Sequence, residues 1–219
     1  MFGMVFTGDM FNFFVFLEIH CIASVALISF RGVDYGEPAE AGFKYMVVSS
    51  ISALTVLFVA GIFYGQYGLL NFAALARVIK YSQLDKIALS LLIPVLAMKA
   101  GAVPMHMWVP DAYGEAPAPI TMMLIVASQV CLYALFRIVF SLYNLKLNTL
   151  AVGWVIIIFG LLSMFVGVTM AVIQKDVKRL MAYHSVSQIG YMLLGVGVGL
   201  AVLADPVALK EYGITAMEG

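Results

Sequence analysis

Charge is scarce in this sequence. Asp, Glu, Lys and Arg make up 11% of the 219 residues against 63% hydrophobic side chains, and the mean hydropathy is +1.03. Soluble domains carry roughly a quarter charged residues, so a water-facing globular protein is excluded and an integral membrane protein is implied. The 12 basic side chains balance the 12 acidic ones, which leaves no positive field to hold nucleic acid or to dock on anionic lipid. Cysteine is nearly missing as well. Cys21 and Cys131 lie inside apolar runs, too few for a disulfide framework and without the CxxC spacing of a metal or redox site, and they read as small core residues. No GxGxxG, GxxxxGKS/T or HExxH segment occurs, and the three histidines are scattered. No nucleotide site, metal cluster or cofactor is therefore expected in this chain, and no catalytic nucleophile is indicated.

What the sequence has is continuous apolar length. Six runs approach the ~20 residues a helix needs to cross the hydrocarbon, at about 10–30, 43–65, 87–108, 118–143, 149–174 and 179–203. They are continuous rather than alternating, which excludes a membrane β-barrel. The expected fold is all-α, with about six transmembrane helices. Thr7-Gly8-Asp9 reads as a turn that caps the first of these helices. The residues before it resemble a helix end and lack the basic leader and cleavage site of a signal peptide. The last residues, 204–219, form a more polar tail, so the chain is expected to begin and end partway through a larger membrane unit.

The connector Gln66–Lys86 places Leu70, Phe72, Leu75 and Ile79 at near-helical spacing. A surface helix and a packed loop both fit that spacing. Lys and Arg divide almost evenly between alternate connectors: Arg31, Lys44, Lys175, Lys178 and Arg179 against Arg77, Lys80, Lys86, Arg137, Lys146 and Lys210. That balance sets no orientation.

Ionisable residues at membrane depth carry the functional signal, because a charge there costs from ~3 kcal/mol upward. Glu18 lies in FNFFVFLEIHCIASVALISF. Lys99 lies in LSLLIPVLAMKAGAVPMHMW, flanked by Pro94, Gly101 and Pro104. Proline frees a backbone carbonyl, so a broken helix around Pro94–Pro104 is expected to line a wet cavity beside the lysine. The plain alternatives are an inert buried ion pair and a lysine snorkelling to an interface. If the two residues meet, burial favours the neutral amine while a nearby carboxylate favours the ammonium, so a small change of separation moves a proton. His20 lies about 200° from Glu18 round the helix and is expected on another face. His106 is either in a wet vestibule or packed beside Trp108. Asp111 and Glu115 either form an acidic mouth or cap and fix their loop. Gly195 and Gly199 in GVGVGLA hint at close helix contact.

Three segments then carry a resemblance. Lys99–Ile120, KAGAVPMHMWVPDAYGEAPAPI, resembles the lysine-bearing broken helix and WLPDAxxEAP loop of the antiporter-like membrane subunits shared by respiratory complex I, Mrp sodium/proton antiporters and membrane-bound hydrogenases. Gly8–Ile19, GDMFNFFVFLEI, resembles that family's glutamate-bearing helix, and Gln174–Gly195, QKDVKRLMAYHSVSQIGYMLLG, its QKDxKRLLAYSSISQxGY segment. The GEAPAP variant is a hint toward the hydrogenase-related branch. The resemblance implies a fold of fourteen helices with two inverted five-helix repeats. Residues 1–143 would be a nearly complete first repeat and 149–203 the start of a second.

It further implies that Glu18 and Lys99 are the pair that gates proton uptake and transfer. Gln129 stands where the family usually carries a second lysine, and glutamine does not titrate. His184, where the family more often has serine, is either a substitute carrier or a packed hydrogen-bonding side chain. Ser128, Gln129 and Ser187 complete the expected polar path. The expected function is proton or sodium translocation within a larger respiratory or hydrogenase-type redox complex, whose redox chemistry belongs to partner chains. Expected partners are other membrane subunits, including one that supplies the missing helices. The setting would be a prokaryotic cell membrane, crossed several times. Three alternatives stand beside this reading: a non-pumping scaffold between a redox module and true pumps, a subunit of a multi-subunit sodium/proton antiporter, and a self-contained solute transporter, which the incomplete repeats disfavour.

Overall fold

The computed structural model describes residues 1–31, 36–143, 148–203 and 213–218. Lys146, Lys210 and the segment 204–212 lie outside the described residues. The described elements are helical: α1 (Phe2–Phe6), α2 (Met10–Ile28), α3 (Gly36–Tyr67), α4 (Phe72–Val78), α5 (Gln83–Ala100), α6 (Trp108–Glu115), α7 (Ala118–Arg137), α8 (Thr149–Ile173), α9 (Val177–Ala201) and α10 (Ile214–Glu218). A 3₁₀ turn follows α2 at Ser29–Arg31, and a π-helical turn, Ile138–Leu142, extends α7. Helices answer the demand that every backbone N–H and C=O be paired where no water is present. Four of them, α2, α3, α7 with its π turn, and α8, are long and apolar enough to cross a membrane. The other two apolar runs form α5 and α9, whose sequences are more polar.

Capping side chains set the starts. Asp9 accepts hydrogen bonds from Phe11 N (2.9 Å) and Asn12 N (3.0 Å), so the Thr7-Gly8-Asp9 turn caps α2 as its sequence indicates. Asn71 caps α4, Asn148 caps α8 and Asp176 caps α9 in the same way. The ambiguous connector is therefore partly helical. Phe72, Leu75 and Ile79 turn inward from it, while residues 8–10 and 70–72 exchange backbone bonds, Met10 N to Leu70 O (2.9 Å) and Phe72 N to Gly8 O (2.8 Å).

The chain divides into two compact units, Met1–Ala100 with Asp111–Asn144, and Gly101–Pro110 with Leu145–Gly219. In the first, α3 packs on both α2 and α5, and α5 packs on α7. In the second, α8 lies along α9 with backbones in direct contact. A Cβ on Gly160 would sit 2.7 Å from Leu194 N, and one on Gly190 2.5 Å from Met164 N. The seam against α8 thus uses Gly190 and Gly197; Gly195 and Gly199 of the GVGVGLA segment instead face α10.

The helix break falls inside the expected span Pro94–Pro104, at the glycine rather than at either proline. Pro94 sits inside the continuous helix α5, and the chain turns at Gly101, whose φ of +96° suits a residue without Cβ. Beyond it Val103 N donates to Ser163 Oγ (2.9 Å) and Val109 N to His106 O (2.9 Å) before α6 begins. Pro104 lies exposed within that turn.

Candidate ion-path site

Lys99 occupies the last turn of α5 and is 3% exposed. On the facing side of α3, Tyr45 and Ser49 are one turn apart and buried among apolar neighbours. The Lys99 ammonium donates to Ser49 Oγ and, at 3.4 Å, to Tyr45 Oη; it also lies 4.7 Å from the Tyr45 ring centroid. Its supports are thus neutral dipoles and a π face. Two ion pairs lie near this end of α3, Lys44–Glu40 (2.8 Å) and Lys44–Asp111 (2.7 Å), and neither involves Lys99.

The inward face of α2 is formed by Met10, Phe13, Leu17, His20, Cys21, Ser24 and Ile28. Glu18 falls beside this stripe, half-buried, and makes no hydrogen bond or ion pair among the described residues. His20 is the ionisable side chain that the helix turns inward. It is 6% exposed, its Nδ1 lies 3.4 Å from Ser24 Oγ, and its Nε2 has no partner among the described residues. Cys131 of α7 is buried as well. The expectation that His20 and Glu18 occupy different faces agrees with the geometry, but it is His20 that is inside.

The remaining candidates separate. Ser128 is buried, and its hydroxyl lies 2.6 Å from Tyr113 Oη. Gln129, next to it, is half-buried. In the second unit Ser187 is buried, its Oγ without a partner among the described residues, whereas His184 is exposed on α9, its Nε2 3.2 Å from Gln188 Nε2. His106 is buried edge-on against the Tyr183 ring. Asp111 anchors Lys44, which fits a loop-fixing role. Sequence reasoning missed Tyr45 and Ser49; a polar pair at i, i+4 within an apolar run was the available signal. It also missed Asp85, assigned to a connector but buried within α5.

Comparison with known proteins supplies the relationship. An NADH-quinone oxidoreductase subunit N from Herminiimonas arsenicoxydans is 36% identical over 203 residues, covering 90% of this chain and 40% of that protein. A sodium/proton antiporter subunit from Alkalihalophilus pseudofirmus is 36% identical over 207 residues, with the same coverage of 90% and 40%. Among solved structures, the membrane-bound sulfane sulfur reductase, an archaeal respiratory membrane complex, contains a chain that superposes with a TM-score of 0.81 at 34% identity, covering 91% of this chain and 43% of that one. The Mrp complex of a Dietzia species gives 0.80 at 30% identity, covering 98% and 41%. The chain spans less than half the length of these relatives. A family profile described as NADH:quinone oxidoreductase/Mrp antiporter, TM, matches residues 7–208, and with these relatives in agreement the chain belongs to that family of antiporter-like membrane subunits.

Proposed function

We propose that this chain forms part of an antiporter-like subunit that moves protons or sodium ions across a prokaryotic cell membrane, within a multi-subunit respiratory or hydrogenase-type complex. Lys99 is the central carrier and Glu18 the acid that biases it. The observation that carries the reading is the burial of Lys99 against Ser49 and Tyr45 with no carboxylate paired to it among the described residues. A charge so placed is held by neutral dipoles with little to spare, so a modest displacement of Glu18 or a neighbouring subunit changes the support for it. The relatives named as subunits of an NADH-quinone oxidoreductase and of a sodium/proton antiporter, each more than twice as long as the stretch matched here, support other membrane chains as partners.

Ion uptake by vesicles containing the assembled complex tests this. Lys99→Ala and Glu18→Ala are expected to abolish coupled uptake while the complex still assembles; normal uptake in either variant rejects the proposal. A scaffold role has its own support in Gln129, which cannot titrate, and in the outward position of His184. Flux indifferent to both Lys99→Ala and Gln129→Lys, with loss of the chain dissolving the complex, would decide for the scaffold.

A further inference from the structure

The α3–α5 pair holds a second buried ionisable group at its far end. Asp85 is 0% exposed and lies fourteen residues before Lys99 on the same helix. At 1.5 Å and 100° per residue, the two side chains stand about 21 Å apart along the axis and within about 40° of one face. Both point into the interior of the first unit.

The partners of Asp85 are distributed unequally between its oxygens. Tyr67 Oη donates to Oδ2 at 2.7 Å, and Ser82 N donates to the same atom at 2.8 Å. Oδ1 receives no donor among the described residues. Nearby, Gln66 donates through Nε2 to Ser82 Oγ at 2.9 Å while its buried Oε1 likewise lacks a donor. Tyr143 closes the site by donating to the Asp85 carbonyl at 2.7 Å, and Tyr81, held at a φ of +58°, donates to the Tyr143 carbonyl. Burial, and behind it the charge of Asp85, push the Tyr81 phenol above its ordinary range, so it stays a donor. Lys80 and Lys86 are exposed, and neither pairs with Asp85 among the described residues.

An ionised carboxylate enclosed in this way keeps one oxygen without a donor and its charge without a cation, an arrangement that proteins avoid. A proton on Oδ1 removes the uncompensated charge and leaves Oδ2 as the carbonyl that accepts both bonds. We propose that Asp85 is a proton-holding site at the end of the α3–α5 pair opposite Lys99, taking a proton on Oδ1 from water and returning it there, with Tyr67 and Ser82 N–H stabilising the ionised form between transfers. This rests on the ion-translocating reading above and adds a second titrating position to the first unit.

The test uses the intact complex in proteoliposomes, with proton flux followed over a range of pH and infrared difference spectra recorded in parallel. Asp85→Asn keeps an acceptor for Tyr67 and Ser82 and places an N–H donor where the acid hydrogen would be. It is expected to assemble, to lower flux about tenfold or more, and to remove a carbonyl band of a protonated carboxyl group seen in the unmodified protein. Should that variant fail to assemble, Tyr67→Phe deletes one donor and is expected to displace the pH midpoint of flux; an unmoved midpoint counts against the proposal. Flux abolished by Lys99→Ala but unchanged in rate, midpoint and infrared spectrum by Asp85→Asn overturns this inference and leaves the functional reading standing. Normal flux in Lys99→Ala defeats the functional reading, and the infrared band then judges Asp85 independently. Loss of sodium dependence in Asp85→Asn, with no carboxyl band in the unmodified protein, overturns the proton in favour of a sodium ion.

Discussion

Removing Ser49 tests how the Lys99 charge is held. The ammonium donates one short hydrogen bond, to Ser49, and a long one to Tyr45 supplemented by that ring's face. A hydrogen bond to a charged group contributes about 1.5–3 kcal/mol, and a desolvated cation–π contact about 2 kcal/mol. Against these stands an effective desolvation penalty of several kcal/mol. The sum is close to zero. Ser49→Ala is therefore expected to destabilise the protein by about 2 kcal/mol, because the charge stays buried with less to support it. Lys99→Met removes charge and penalty together and should change stability by less than about 1.5 kcal/mol in either direction. In the Lys99→Met background the same serine deletion should cost almost nothing, so the double-mutant cycle should return a coupling of about 2 kcal/mol. Thermal and denaturant unfolding of the detergent-solubilised complex, under conditions where the transition is reversible, measures all three. A coupling below about 0.5 kcal/mol would show that the serine does not support the charge, and the account of Lys99 as a marginally held cation would fail.

Other expectations concern the frame around the site. Gly190→Ala places a Cβ 2.5 Å from the Met164 backbone nitrogen, and forcing α8 and α9 apart should cost about 1–3 kcal/mol, read as a lowered unfolding midpoint. Arg137→Met removes donors to Val5 O (3.0 Å) and Thr7 O (2.6 Å) and should raise hydrogen exchange over residues 1–9 while leaving α8 and α9 unaffected. Asp9→Ala, which uncaps α2, should cost about 1 kcal/mol, and Asp9→Asn should recover most of it.

Much of this fold is legible in its apolar runs, because length without charge is sufficient to announce a membrane helix. Facing direction is not. α2 is apolar nearly all round, with Phe11, Phe16, Ile19 and Ile22 exposed and Phe13 and Leu17 buried, so no periodic contrast marks the inner side. That is why the helical-wheel separation of Glu18 and His20 follows from the sequence while the choice of which one points inward does not. The break after Lys99 is hard to place for a related reason: Pro94 removes one hydrogen bond yet sits inside a continuous helix, whereas Gly101 supplies the backbone angle for the turn. Asp85 is hidden by its surroundings. A charge between polar residues reads as connector, and its burial depends on Tyr67 and Tyr143, which are distant in sequence.

The place where α5 stops has an electrostatic consequence for Lys99. A helix that ends at Ala100 points the C-terminal end of its dipole, roughly half a negative charge, at its own last turn. Lys99 stands in that last turn, so the backbone itself serves as a fractional counter-ion where no acid among the described residues is paired to it. Winding the chain one turn further past Gly101 would withdraw that fraction, and the buried ammonium would lose a support although no side chain had approached or left it.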